Sequence, residues 1–360
     1  MQKSVSIKDI AQAAGVSPST VSRALHDHPR ISEQTAARIH RLAQEMRYTP
    51  SLPARSLVTR DTKTIGFVIT YASDLFLGQL VIGVEEVARD NGYSVLLSSS
   101  YRDADREQEV IRSFHERRVS GIIISGSQGD ISYLQLHEHF PLPIVLINFR
   151  DYPYSVSTDN WAGARQAVEH LVQLGHRRIA YLANRRSYRT NLDRLTGYKA
   201  VLADHAIPLD GQLIVEGDGT LAGGAQAMKQ LLALPQPPTA LFCFNDMTAI
   251  GAMRTLDVAG VRVPRNCSVV GFDDLDLAGY CCPPLTTVRQ PSYRLGQRAM
   301  CMLLNLVQGR GDVQAEILPA ELIVRETTGP ALVPVGGGEL SESLLDSWKA
   351  MADSPPGHPL

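Results

Sequence analysis

Arg23 is a long cationic donor on a helical face otherwise built of small hydroxyls, Ser19 and Ser22. A guanidinium presented this way bonds two acceptors in one plane. The exposed edge of a guanine in the DNA major groove offers such a pair, a match that discriminates by about 1–3 kcal/mol.

These side chains share a face only if the chain around them is helical. In SIKDIAQAAGVSPSTVSRAL (residues 6–25) Ser6 reads as an N-cap, with Asp9 completing a capping box. Ile7, Ile10, Ala11 and Ala14 form one apolar face, and Gly15 suits the left-handed residue that ends such a helix. Val16 fills the turn. Ser17 is a second N-cap, and Pro18 stands at the first helical position, where no backbone donor is needed. Val21, Ala24 and Leu25 point inward. The pattern is a helix-turn-helix whose second helix enters the major groove. A third helix, capped by Ser32, buries Ala36, Ile39, Leu42 and Met46 and exposes Arg38, Arg41 and Arg47.

Charge follows the same division. Residues 1–60 hold nine Lys or Arg and four acids, a net of +5, whereas the whole chain is −2 and the remainder −7. Phosphate attraction supplies most non-specific DNA affinity, so the basic head is where nucleic acid belongs. A length of 360 residues implies a small domain plus one or two larger ones. No run of about 18 apolar residues predicts a membrane span. Lys3, Lys8 and Asp9 interrupt any N-terminal signal region, so a cytoplasmic location is expected. The five cysteines form no C-x-x-C pair, and they are read as free thiols with no metal or cofactor.

Residues 48–64, YTPSLPARSLVTRDTKT, read as a linker. SLPARSL within it allows barely two turns of helix, too short to be stable alone. Leu57 would then be an apolar side chain suited to wedge between base steps in the minor groove. From Thr64 onward strands and helices alternate. Strands are expected at 64–70, 93–99, 121–125, 143–149, 177–183, 213–218, 240–245 and 267–272. Helices are expected at 78–91, 104–118, 161–174, 192–204, 222–234, 247–259 and 291–308. Continuous apolar strands between amphipathic helices predict parallel sheets covered on both faces, in two similar α/β subdomains with a ligand cleft between them. GDGTLAGG (217–224) lacks the spacing of a phosphate loop and is read as a turn. His176 has no nucleophile beside it and is read as structural.

IKDIAQAAGVSPSTVSRAL, YTPSLPARSL, TIGFVI, STDNWAGA, LGHRRIAYLA, RLTGY, FNDMTAIGAM, GVRVPRNCSVVGFDD and PPLTTVRQP, in this order over residues 5–328, resemble the lactose-repressor/galactose-repressor (LacI/GalR) family of bacterial transcription regulators. The resemblance implies an all-α helix-turn-helix head joined by a hinge helix to an α/β body of two parallel-sheet subdomains, like periplasmic sugar-binding proteins. It implies a homodimer on palindromic operator DNA, with a small-molecule effector in the cleft. By the resemblance Ser19 and Arg23 read bases, with Pro18 at a third such position where a hydrogen-bonding residue is usual. Ser17, Thr20 and Ser22 contact the DNA backbone, Leu57 is the minor-groove wedge and Ala54 its close-packed neighbour. Pro53 is a second departure, sterically acceptable in a first helical turn. In the cleft, Asp273 and Arg194 match the main polar contacts and Asn245 a further one. Phe76 and Phe149 stand where aromatics face the ligand, and Asp159 is either a contact or only an N-cap. A sugar or sugar derivative is the favoured effector, with a nucleobase or nucleoside as the alternative.

The expected divisions are residues 1–50 for the head, 51–63 for the hinge and 64–330 for the body. Within the body an N-subdomain takes 64–159 plus 291–318 and a C-subdomain 160–290 plus 319–330, followed by a disordered tail over 331–360. ELSESLLDSWKAMAD (339–353) in that tail has the spacing of a short helix suited to a dimer-to-tetramer step. The rival functions are the solute-binding protein of a sugar transporter, which the basic head argues against, and an α/β enzyme, for which no nucleophile–base pair or phosphate loop is present.

Overall fold

In a computed structural model describing residues 5–25, 28–48, 62–127, 131, 142–185, 188–310 and 313–332, the helical spacing near the N-terminus becomes α1 (Ile7–Ala14), α2 (Pro18–Ala24) and α3 (Glu33–Glu45). The chain divides into two units, Met1–Thr62 and Lys63–Leu360. In the first, the Ser6 backbone N–H and hydroxyl both donate to Asp9 Oδ2, at 2.8 and 2.7 Å. Gly15, at φ 62°, ends α1, and the Ser17 hydroxyl accepts from the Thr20 N–H at 3.1 Å to start α2. These contacts satisfy helix-end groups that the helical ladder leaves unpaired. Ile10, Val21, Ala24 and Ile39 form the fully buried centre. Arg38 donates to the Ala14 carbonyl, so α3 also closes the open end of α1.

The second unit runs β1 (Thr64–Ile69), α4 (Leu75–Asp90), β2 (Ser94–Ser99), α5 (Ala104–Glu116), β3 (Gly121–Ser125), β4 (Ile144–Ile147) and β5 (Ser155–Thr158). It continues with α6 (Asn160–Gln173), β6 (Ile179–Asn184), α7 (Tyr188–Asp204), β7 (Ile214–Gly217), α8 (Leu221–Leu232), β8 (Ala240–Cys243) and α9 (Asp246–Val258). It ends with β9 (Ser268–Asp273), α10 (Asp276–Tyr280), β10 (Thr286–Arg289), α11 (Ser292–Val307), β11 (Glu316–Leu318) and β12 (Glu321–Ile323). Two six-stranded sheets result, in the orders β11-β5-β4-β3-β1-β2 and β12-β10-β9-β8-β6-β7. The first is parallel throughout, and in the second only β12 is antiparallel. The central strands are buried along their length, as their unbroken apolar runs require. The chain passes between the sheets after β5, after β10 and after β11, so each sheet is built from separated segments.

Several elements depart from the sequence expectation. Helix α4 starts at Leu75 rather than 78 because Asp74 caps it, accepting from the Phe76 N–H at 3.1 Å. Helix α7 starts at Tyr188 rather than 192. Strands β5, β10, β11 and β12, three or four residues each, had no expected counterpart. They are too short for periodicity to mark them. The expected hinge helix (51–63), with Ala54 and Leu57, and the segment 339–353 lie outside the described residues, apart from Thr62 and Lys63.

Glycines let the helices of each half approach to backbone contact. A Cβ at Gly83 of α4 would collide with the Tyr293 carbonyl of α11, and one at Gly296 of α11 with the Leu80 carbonyl of α4. The other half repeats the device, with Gly224 of α8 against the Thr248 carbonyl and Gly251 of α9 against the Leu221 carbonyl. His176 ties the second sheet together from the loop before β6. Its ring bonds Thr239 at 3.0 Å through Nδ1, and Ser268 at 2.9 Å and the Gly329 carbonyl at 3.1 Å through Nε2.

Gly296→Ala should destabilise the second unit by about 1–3 kcal/mol through overpacking, whereas Gly279→Ala, where an added Cβ meets nothing within 4 Å, should cost far less. Equal urea midpoints for the two variants would refute the close-approach account. Burial pulls the His176 pKa below 6.5, so the folded state favours the neutral ring. Its contribution is complete above the unfolded-state value and is lost as pH falls below about 6.5. His176→Gln should therefore show its largest stability deficit at pH 8 and a narrowing one toward pH 5; a deficit constant with pH would contradict this.

Candidate functional site

The exposed face of α2 carries Pro18, Ser19 and Arg23, with Thr20 and Ser22 half-buried beside them. The hydroxyls at its start are organised locally: Ser17 Oγ lies 2.7 Å from Ser19 Oγ and 2.9 Å from Thr20 Oγ1. Ser17 and Thr20 thus serve the cap itself, and Arg23 stands a full turn further along with its guanidinium exposed. Ser17, Pro18, Ser19, Thr20, Ser22 and Arg23 are brought together on one short helix.

In the second unit a cleft of about 420 Å³ opens at the carboxyl ends of both sheets, where parallel α/β folds bind ligands. One wall comes from the first sheet: Thr70 and Asp74 after β1, Phe76 and Leu77 on α4, Arg102 after β2, Ser125 to Ser127 at the end of β3, and Asn148 after β4. The other wall supplies Arg189, Thr190 and Arg194 from α7, Phe244 and Asn245 after β8, Asp273 at the end of β9, and Gln290 after β10.

Arg194 is 2% exposed. Its Nε donates to Asn160 Oδ1 at 3.0 Å and its Nη1 to the Phe244 carbonyl. The guanidinium carbon lies 3.6 Å from the Phe272 ring centre and 4.5 Å from that of Phe244. Nη2 stands 3.9 Å from Asp273 Oδ1. Burial lowers the Arg194 pKa and Asp273 opposes that shift. Burial raises the Asp273 pKa well above the carboxylate range, against the pull of Arg194, while Asp246 and Asp74 add to the rise. Asp273 holds φ 120°, a backbone state rare for a side-chain-bearing residue and worth about 1–3 kcal/mol of strain. Gln290 Nε2 donates to Asp273 Oδ1 at 2.6 Å, and Gln290 Oε1 is buried with no partner among the described residues. Facing them, Asp74 also has its pKa raised by burial, with the Phe76 N–H and Arg102 acting in the opposite direction.

Of the expected ligand contacts, Phe76, Arg194, Asn245 and Asp273 line the cleft together. Asn245 is largely committed elsewhere, since Oδ1 caps α9 through the Thr248 N–H at 2.9 Å and Nδ2 donates to the Gly219 carbonyl at 3.0 Å. Phe149 and Asp159 are not among the lining residues. Phe149 is 2% exposed in the core of the first half, its ring covered by the Arg189 guanidinium at 3.6 Å. Asp159 caps α6, accepting from the Ala162 N–H at 3.1 Å, and pairs with Arg150 at 2.8 Å. Ala54 and Leu57 lie outside the described residues. Sequence reasoning missed Asp74, Arg102, Ser127, Asn148, Arg189 and Gln290. Asp74, Arg102, Asn148 and Gln290 lie just beyond a strand's carboxyl end, the one signal that could have marked them, and Gln290 follows a strand too short to be foreseen.

The turn over 217–220 is closed internally: Asp218 Oδ1 accepts from the Thr220 N–H at 3.1 Å and Thr220 caps α8. Among the described residues no cluster of His, Cys, Asp and Glu could hold a metal ion, and no helix is long and apolar enough to cross a membrane.

Residues 6–51 match the family model for bacterial regulatory proteins of the lacI family, and residues 168–328 match that for a periplasmic binding protein-like domain. The HTH-type transcriptional repressor CytR of Escherichia coli (strain K12) is 34% identical over 332 residues, covering 91% of this chain and 97% of the relative. The lac repressor dimer bound to operator and the anti-inducer ONPF superposes with a TM-score of 0.85 at 31% identity, over 91% of this chain and 100% of that one. A transcriptional regulator CelR–cellobiose complex gives a TM-score of 0.69 at 28% identity, over 90% and 99% of the two chains. The relatives that carry this likeness along nearly their whole length are transcriptional repressors rather than enzymes. With a helix-turn-helix segment matching the lacI model and a periplasmic binding protein-like domain, the chain belongs to the lacI family of bacterial regulatory proteins and is a DNA-binding transcriptional repressor of that family.

Proposed function

We propose that the protein binds a palindromic operator as a homodimer and that a small hydroxyl-rich molecule, a sugar or sugar derivative, occupies the cleft and sets operator affinity. The observation that carries the effector reading is the buried Arg194–Asp273–Gln290 cluster at the strands' carboxyl ends, in which a Gln290 acceptor is left without a donor among the described residues. Carboxylate and amide oxygens accept from vicinal hydroxyls, and a guanidinium donates in a planar fork. The relative solved with cellobiose supports a sugar. A nucleobase sandwiched by Phe76 and Phe149 is less supported, because Phe149 does not line the cleft. Exposed apolar side chains on the second unit, Ile82, Leu97, Val258 and Tyr280, support pairing with a second copy, and the lac repressor structure is a dimer on its operator. In each head Ser19 and Arg23 read bases, Ser17, Thr20 and Ser22 meet the backbone, and Ala54 and Leu57 form the minor-groove hinge. The effector acts by linkage: it changes operator affinity by the difference in its own affinity for the two states.

On DNA from upstream of the protein's own gene, Arg23→Ala should lose about 5–150-fold in specific affinity, the equivalent of one bidentate base contact, and little on random duplex. Leu57→Ala should show the same selective loss. Equal losses on both DNAs would refute the reading roles. In thermal-shift titrations with D-ribose, cellobiose, cytidine and hypoxanthine, a sugar should raise Tm, and Asp273→Asn should abolish the rise. The unliganded midpoint of Asp273→Asn should fall, because Arg194 is then buried without the carboxylate that faces it. A sugar-induced shift that survives Asp273→Asn would remove Asp273 from the site.

A further inference from the structure

The segment after β4, Phe149–Arg150–Asp151, belongs to the first sheet's half, and the start of α7, with Arg189 and Asp193, belongs to the second. The two segments exchange charge in both directions. Arg150 of the first reaches Asp193 of the second, at 3.7 Å, and Arg189 of the second pairs with Asp151 of the first. The Arg189 guanidinium also covers the Phe149 ring at 3.6 Å while lining the cleft. Arg150 further binds Asp159, the cap of α6 where the chain crosses between the halves, at 2.8 Å.

We infer that Arg189 and Arg150 form a cross-cleft clasp: with Asp151, Asp193 and Phe149 they hold the two halves together beside the effector cleft, and Arg189 presents a cation, not a ring face, to any ligand at that wall. The clasp gathers three carboxylates, Asp151, Asp159 and Asp193, with the first two acting on Asp193, and two arginines hold them. Removing an arginine therefore leaves repulsion across the opening, not only a lost attraction. The side chains of Arg150, Asp193 and Arg189 are 33–37% exposed and that of Asp151 75%. Water screens such pairs, so each is weak singly, which suits contacts that must break when the halves move. Ligand selection follows at that wall: a hydroxyl, carbonyl or anionic group meets Arg189 with the clasp intact, whereas a flat ring must displace Arg189 to reach Phe149.

Closure is tested without any ligand, so failure of the clasp and failure of the effector reading are separable. Fluorophores attached through unnatural amino acids at the exposed positions Glu116 on α5 and Lys199 on α7 report the distance between halves, with labelled protein diluted into unlabelled chain. Arg189→Asp should lower the closed-to-open ratio about 2–5-fold, the range expected for exposed ion pairs. The swap Asp151→Arg with Arg189→Asp should recover most of it. In the wild-type chain, which needs no variant to fold, 1 M salt should open the cleft, because screening shortens the reach of exposed charges to about 3 Å. Distances unchanged by Arg189→Asp, effects that simply add in the swap, or a wild-type cleft indifferent to salt would each overturn the clasp.

Discussion

A guanidinium taken almost wholly out of water organises the sensing half of this molecule. Arg194 is 2% exposed, and an uncompensated charge at that depth would cost several kcal/mol, on the order of an entire domain's stability. Asn160 and the Phe244 carbonyl take two of its donors, Phe272 and Phe244 cover its faces, and Asp273 balances its charge. These partners come from the first turn of α6, the chain just after β8 and the end of β9, so satisfying one charge brings the carboxyl ends of the second sheet to a common point. Asp273 is held in a rare backbone state to meet it. The site is thus stressed in backbone, burial and hydrogen bonding at once, where a ligand's hydroxyls would relieve the shortage of donors.

The same economy shapes the rest of the fold. Glycine pairs let α4 touch α11 and α8 touch α9 in backbone contact, once in each half. This repetition gives both halves the same close helix-to-helix contact. The DNA-reading unit works by different physics. Among the described residues its core is seven buried side chains with short capped helices, and the segment carries the positive charge that the acidic body lacks. Division of sign between the two units leaves affinity for phosphate in one and selectivity for a small molecule in the other.

How far this was legible in the sequence differed by element. The head was readable because its caps, glycine and apolar spacing are local: Ser6, Gly15, Ser17 and Ser32 each stand at the helix end that residue type favours. The long buried strands were readable from unbroken apolar runs. Strands β5 and β10 were not, because SVST and TTVR carry no apolar signal and are buried by tertiary contacts alone. In the cleft, Arg194 and Asp273 were reached through resemblance, not spacing. Phe149 lies behind the Arg189 guanidinium, which sequence does not show, and Asp159 was left open between cap and contact because the two look the same in one dimension. Gln290 was missed because its significance is relational, a half-satisfied amide behind a buried carboxylate.

Occupancy of the cleft and binding of operator are here proposed to be one linked equilibrium. It is tested most directly by measuring the affinity of a cleft-binding sugar for the free protein and for the protein saturated with operator, alongside the operator affinity with and without that sugar. Linkage requires the two ratios to be equal and different from one. A sugar that binds in the cleft yet leaves operator affinity unchanged would contradict the account.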